Sequence, residues 1–459
     1  MEEALKFAQQ NQEKNLQELL AFLAIPSVST KPEHKPDVKE AAEWLALEME
    51  RGGLENIRII DNGGHPLVYA DWMHAGADEP TVLIYGHYDV QPAEPFDLWL
   101  SPPFDPQIRD DYIYARGASD DKGQLYIHVK VVEAYLKTVG KLPVNVKFIV
   151  EGEEEVGGRS LETFIPENKE LLAADVVLIS DTAMLSPDHP AIVCGLRGNV
   201  YAFVDVTGPE HDLHSGSYGG GINNPLNAMA HIIAGLKDKE GHILIPGFYD
   251  RVRPLSDDER QIVNSVPFDE ESWLKESGAP QSWGEPEYSL IERLGVRPTL
   301  DVNGLIGGYT ETGRKTVLPA HVHAKISMRL VPDQDPEEIG RLFSDYIKQI
   351  APPSVRVKVS IVGTSAPVVS EMDSPAISAA TEACVQTFDR QPVFLREGGS
   401  IPVVAQFQDT LNLETVMLGF GLPDDHIHSP NERFYLPNYY HGILTGIRFF
   451  EAYARHHAG

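Results

Sequence analysis

Histidines and carboxylates in this chain gather directly after short apolar runs. Gly86-His87-Tyr88-Asp89 follows the run 81–85, and Glu151-Gly152-Glu153-Glu154-Glu155 follows 144–150. Asp181 follows 176–180, while Asp424, Asp425, His426 and His428 follow 415–420. A fifth cluster, Asp120-Asp121, lies in the segment 116–123 just before a helical stretch. Imidazole and carboxylate donors without thiolates are the ligand set of a catalytic zinc, manganese or cobalt site. Two neighbouring metals need a carboxylate to bridge them, with further His and carboxylate ligands on each. In extended chain the side chains of His87 and Asp89 point the same way, so Asp89 can hold the second imidazole nitrogen of His87 and fix its tautomer. Neighbouring side chains diverge in Glu153-Glu154-Glu155, so one can bind metal while the next faces the attacking water as general base.

Elements that would position these residues are legible from periodicity. Leu16, Leu19, Leu20 and Leu23 mark a first helix that stops at Pro26, and a second starts near Asp37 and ends at Gly52-Gly53. The runs 81–85, 144–150, 176–180 and 415–420 are apolar on both faces and are separated by helices such as 124–136. That pattern predicts buried strands of a mostly parallel α/β sheet, whose ligands bind outside the carboxyl ends of the strands. From about Arg197 to Val362 the pattern changes. Strands 201–206 and 323–330 alternate, with helices at 224–237 and 336–350, as in a small α+β domain. Residues 246–300 read as loop with short helices. The expected organisation is a catalytic domain in two parts, 1–196 and 363–459, interrupted by an inserted domain at 197–362. No internal repeat or low-complexity tract is evident.

Composition excludes several function classes. The chain has 459 residues and a formal net charge of −30, with Lys and Arg scattered singly. Such a surface repels phosphate backbones and anionic lipid, so neither nucleic acid nor membrane is an expected partner. Cys194 and Cys384 are the only cysteines, which excludes a disulfide framework and a thiolate zinc site and fits a reducing, cytoplasmic setting. No secretory signal or long apolar span is visible.

The motifs resemble the M20 family of metallopeptidases, most closely its cytosolic nonspecific dipeptidase and carnosinase branch. The resemblance spans essentially the whole chain, through GHYDVQPA at 86–93, ARGASDDKGQ at 115–124, EGEEEVG at 151–157 and ISD at 179–181. It continues through DLHSGSYGG at 212–220, KTVLP at 315–319, SMRLVP at 327–332, REGGSIP at 396–402 and HIHSPNE at 426–432. It implies a di-metal hydrolase domain with an inserted lid and dimerisation domain, and two divalent ions, Zn²⁺ or Mn²⁺, per subunit. Asp120 would bridge the ions, His87 and Asp181 would complete one site, and Glu155 and His428 the other. Glu154 matches the general base, Asp89 the residue supporting His87, and His426 would be a loop residue. His214 matches a histidine that stabilises the oxyanion across a homodimer, and Thr316 a lid residue contributed the same way. Arg329 matches the arginine that takes the substrate carboxylate, with Gly399 and Ser400 against the same end of the substrate. The implied reaction is hydrolysis of dipeptides, the alternatives being deacylation of N-acyl amino acids and a non-catalytic metal-binding protein. Glu153 and Pro430 stand where the branch also carries uncharged and polar residues respectively, and Glu153 is expected to add charge beside Glu154.

Overall fold

Runs that are apolar on both faces become the interior strands of a sheet, because only burial on both sides satisfies them. A computed structural model describes residues 1–399 and 401–457. The chain divides into two compact units, one of Met1–Cys194, Ser370–Leu395 and Gln406–Gly459, the other of Gly195–Val369 and Arg396–Ala405. The second unit takes in 396–405, where Arg197 Nε donates to the Gly398 carbonyl at 3.2 Å. No apolar periodicity marks that return of the chain.

The strand order of the large sheet is Glu55–Ile60, Leu67–Trp72, Asn145–Glu151, Thr81–His87, Val176–Ile179, Glu414–Met417 and Ala191–Leu196, the first six lying in the first unit. Thr81–His87 is parallel to Asn145–Glu151 and to Val176–Ile179, which is parallel to Glu414–Met417. The flanking strands are antiparallel. The parallel register sets His87 beside Glu151, and Tyr85 beside Ile179, so the ends of these strands deliver their polar residues to one edge. The helix Lys122–Thr138 is buried along almost its whole length, and Leu436–His457, Gln12–Leu23 and Lys35–Gly52 pack in the same core. Gly53 ends Lys35–Gly52 at φ 103°, a left-handed cap that glycine adopts freely. Phe22 stacks on Trp44 with ring centroids 4.7 Å apart. No helix among the described residues is long and apolar enough to cross a membrane.

His128, buried on Lys122–Thr138, ties the helix to the sheet. Its Nε2 lies 2.8 Å from Ser180 Oγ, and that hydroxyl donates to the Leu418 carbonyl at 2.7 Å. The hydroxyl proton is thus committed, so Nε2–H must donate and Nδ1 carries the lone pair. Burial lowers the His128 pKa from 6.5 to about 3. A base held neutral contributes stability in full above its unfolded pKa and loses it as pH falls towards the folded one. Relative to His128→Gln, the parent protein should lose about 2 kcal/mol between pH 7 and pH 5, at about 1.4 kcal/mol per pH unit. Urea unfolding at the two pH values measures this, and parallel losses in both proteins would refute it.

The second unit has an antiparallel sheet in the order Thr299–Gly307, His321–Leu330, Gly198–Thr207, Arg356–Ser365. Gly198–Thr207 alternates strictly in burial, turning Val200, Ala202, Val204 and Val206 towards Met229, Ile232, Phe343 and Ile347. Those four come from the helices Pro225–Ala234 and Pro336–Ile350. The polar stretch between them holds three short helices, Asp257–Ser265, Glu270–Ser277 and Leu290–Gly295, the first and last closed by capping boxes.

Candidate metal centre

His87 is the last residue of Thr81–His87 and is fully buried. Its Nδ1 lies 3.1 Å from the Asp89 carbonyl oxygen and 3.5 Å from Asp89 Oδ1. The Asp89 carboxylate also accepts the backbone N–H groups of Glu154 and Glu155, each at 3.2 Å. Asp89 therefore locks the turn Glu154–Val156 beside the imidazole. On the other side of the ring, Nε2 lies 3.0 Å from Asp120 Oδ1 and 3.8 Å from Asp181 Oδ2, oriented so that it makes no hydrogen bond among the described residues.

The second carboxylate oxygen of Asp120 faces a different imidazole. His428 Nε2 is 2.8 Å from Asp120 Oδ2 and 3.3 Å from Glu155 Oε2. Two groups of donor atoms result, His87 with Asp120 and Asp181, and Asp120 with Glu155 and His428, each within 4.8 Å of one another. Asp120 belongs to both. Gln91 Nε2 donates to Glu155 Oε2 at 2.7 Å and orients it.

Electrostatics show why the cluster suits cations. Burial disfavours charge on His87, yet the Asp120, Asp89 and Asp181 carboxylates outweigh it and raise its pKa well above the usual value. Asp120 and Glu155 push His428 up to about 10. Burial and the neighbouring Asp121 and Asp120 charges raise Asp181 well above the carboxylate range. Burial lifts Glu154 to about 7, with Glu155, Asp120 and Asp89 adding to the rise and His87 opposing it. Carboxylates crowded like this are stabilised by positive charge, and a buried imidazole nitrogen 3.0 Å from one of them is a ready ligand. All five donor side chains offer nitrogen or oxygen, the set that divalent zinc and manganese accept. The residues therefore fit a pair of divalent ions.

Glu153 faces the backbone of two other loops. Its carboxylate accepts the backbone N–H of His65 at 2.9 Å and of Ser160 at 3.0 Å, pinning two loops. Asp425 is buried away from the donor groups, accepting from Ser119 Oγ and Leu422 N, both at 2.7 Å. Asp424 pairs with Arg433, and His426 is an exposed loop residue. In the second unit, Leu213–His214 pairs with Val317–Leu318, and Ser215 N donates to the Thr316 carbonyl at 3.0 Å, so His214 and Thr316 are neighbours. Arg329 is half-buried on His321–Leu330, opposite Thr299 and Asn199. Gly399 is exposed, and Ser400 lies outside the described residues. Glu432 escaped the sequence reading, although HIHSPNE contains it: its carboxylate is fully buried against the segment that carries Asp120.

The family model for peptidase family M20/M25/M40 matches residues 83–456. The chain is 31% identical to Beta-Ala-His dipeptidase of Rattus norvegicus over 100% of this chain and 96% of that one. It is 34% identical to Cys-Gly metallodipeptidase DUG1 of Candida albicans over 94% of this chain and 93% of that one. Among solved structures it resembles the M20 family metallo-carboxypeptidase Sso-CP2 of Sulfolobus solfataricus, with a TM-score of 0.87, 33% identity, and coverage of 96% and 99%. The chain belongs to peptidase family M20/M25/M40.

Proposed function

We propose that the protein is a metal-dependent dipeptidase. The observation that carries this reading is Asp120, whose two oxygens face different imidazoles and join two groups of donors. His87 and Asp181 would hold one divalent ion with Asp120, and Glu155 and His428 the other, the ions being Zn²⁺ or Mn²⁺. When bound, such ions supply Lewis acidity towards a carbonyl and make water more acidic. Glu154 takes the proton of the attacking water and returns it to the leaving amine nitrogen. Asp89 keeps His87 and the Glu154 turn in register. Arg329 takes the carboxylate of the dipeptide through its planar guanidinium, with Gly399 at the same end.

The second unit, Gly195–Val369 with Arg396–Ala405, serves as lid and dimerisation domain. His214 and Thr316 act across a homodimer, His214 of the partner subunit stabilising the oxyanion. Mixing His214→Ala with Glu154→Ala should restore part of the activity in mixed dimers; no recovery in verified heterodimers would remove the shared site. Cys194 and Cys384, both buried as thiols, support a cytoplasmic setting.

Similarity to a metallo-carboxypeptidase supports a second reading, removal of the carboxyl-terminal residue from longer peptides. Free amino acids released from dipeptides, tripeptides and N-acetyl amino acids, with Zn²⁺, Mn²⁺ or chelator, decide among the activities. Rapid dipeptide cleavage that chelator abolishes is expected, and preference for tripeptides or N-acyl substrates would overturn the dipeptidase reading.

A further inference from the structure

The segment that carries Asp120 has no helix or strand of its own between Tyr112–Tyr114 and Lys122–Thr138. Its buried N–H groups still need acceptors. Arg433–Tyr435 pairs antiparallel with Tyr112–Tyr114, and the ladder runs on as Ala115 N donates to the Glu432 carbonyl at 3.2 Å. Beyond that point the Glu432 side chain takes over. Its Oε2 accepts Gly117 N at 3.0 Å and Arg116 Nη1 at 2.6 Å. Its Oε1 accepts Ser119 N at 3.0 Å and Asp120 N at 3.2 Å. Gly117, at φ 82°, lets the chain curl around that single carboxylate. Arg116 and Glu432 are both buried, so the pair carries little net charge into the core.

We propose that Glu432 is a positioning residue for the metal centre: its carboxylate organises the backbone at 116–120 so that Asp120 keeps both oxygens free for the two ions. Glu432 stands four residues after His428, so one short stretch of chain supplies a donor to one group and holds the residue shared by both. The backbone donors leave the Asp120 side chain uncommitted, with Oδ1 towards His87 and Oδ2 towards His428. Glutamine in place of Glu432 has the same shape but only one accepting oxygen. Its NH₂ would face two of the four donors, either Arg116 with Gly117 N or Ser119 N with Asp120 N, and the loop ahead of the Asp120 side chain would lose half of its anchor.

This inference rests on the two-metal reading, and Co²⁺ separates the two. Competition with a chromophoric chelator measures Co²⁺ affinity, and the visible d–d band reports ligand geometry. In Glu432→Gln the affinity should fall about 10- to 100-fold, the usual effect of losing a partner behind a ligand. The band should change shape while near-ultraviolet circular dichroism does not. Unchanged affinity and band in the variant, with two Co²⁺ bound by the parent, would overturn the role of Glu432 alone. A parent protein that binds no Co²⁺ would instead overturn the metallopeptidase reading. Hydrogen exchange on the metal-stripped parent decides the matter if the variant does not fold. The N–H groups of Gly117, Ser119 and Asp120 should exchange at least about a hundredfold slower than free amides, because the carboxylate holds them before any ion arrives. Exchange at the free rate would overturn the proposal.

Discussion

Glu154→Gln should lower kcat by about two to four decades, the usual worth of a general base, and leave KM and metal content close to those of the parent. The amide fills the carboxylate's volume, and the backbone N–H of residue 154 still donates to Asp89, so the turn should stay in place. What disappears is the proton acceptor. The adjacent Glu155 provides the contrast. Its Oε2 lies 3.3 Å from His428 Nε2 and accepts Gln91 at 2.7 Å, so it belongs among the donors. Glu155→Gln should therefore release metal, whereas Glu154→Gln should not. Metal analysis after gel filtration, with steady-state kinetics on a good dipeptide, separates the two. Full turnover in Glu154→Gln, or loss of metal from it, would show that the roles within the acidic run are assigned wrongly.

That contrast also marks how far the sequence could be read. Four runs apolar on both faces can only be strands covered on both sides, and a charged residue following such a run must lie at a strand end. His87 and Asp181 were legible for that reason, and the parallel register brings their strands side by side. Asp120 and His428 stand in irregular loops, where no period exists to orient them; position beside a helix or after an apolar run brought out their clusters, and only the motifs chose these two residues within them. Side-chain direction inside a tight turn was harder still. Alternation along an extended chain put the Asp89 carboxylate on His87 alone, whereas the turn after the strand also gives it the N–H groups of residues 154 and 155. Likewise, adjacency in sequence set Glu153 beside Glu154 but gave no sign that its carboxylate takes the backbone donors of His65 and Ser160. Glu432 was invisible because three of its four donors are main-chain N–H groups more than three hundred residues earlier, and these leave no trace in residue type.

Asp120→Asn should cost more than the loss of any other single donor, because Asp120 alone is shared by the two groups. The parent should retain two equivalents of Zn²⁺ or Mn²⁺ through gel filtration, and the variant no more than one, with dipeptide hydrolysis at background. At an effective dielectric of about 20, a unit charge about 4 Å from a divalent ion is worth about 8 kcal/mol, so the more weakly held ion should lose at least about three decades in affinity. The amide also turns an NH₂ towards one imidazole nitrogen, putting a donor where a ligand oxygen stood. His428 gives the milder comparison. It is half-exposed and contributes to one group only, so His428→Ala should loosen one ion and leave the other in place. If Asp120→Asn and His428→Ala lose metal to the same extent, the two groups do not share a bridging ligand. Retention of two tightly bound ions by Asp120→Asn would refute the bridging role outright.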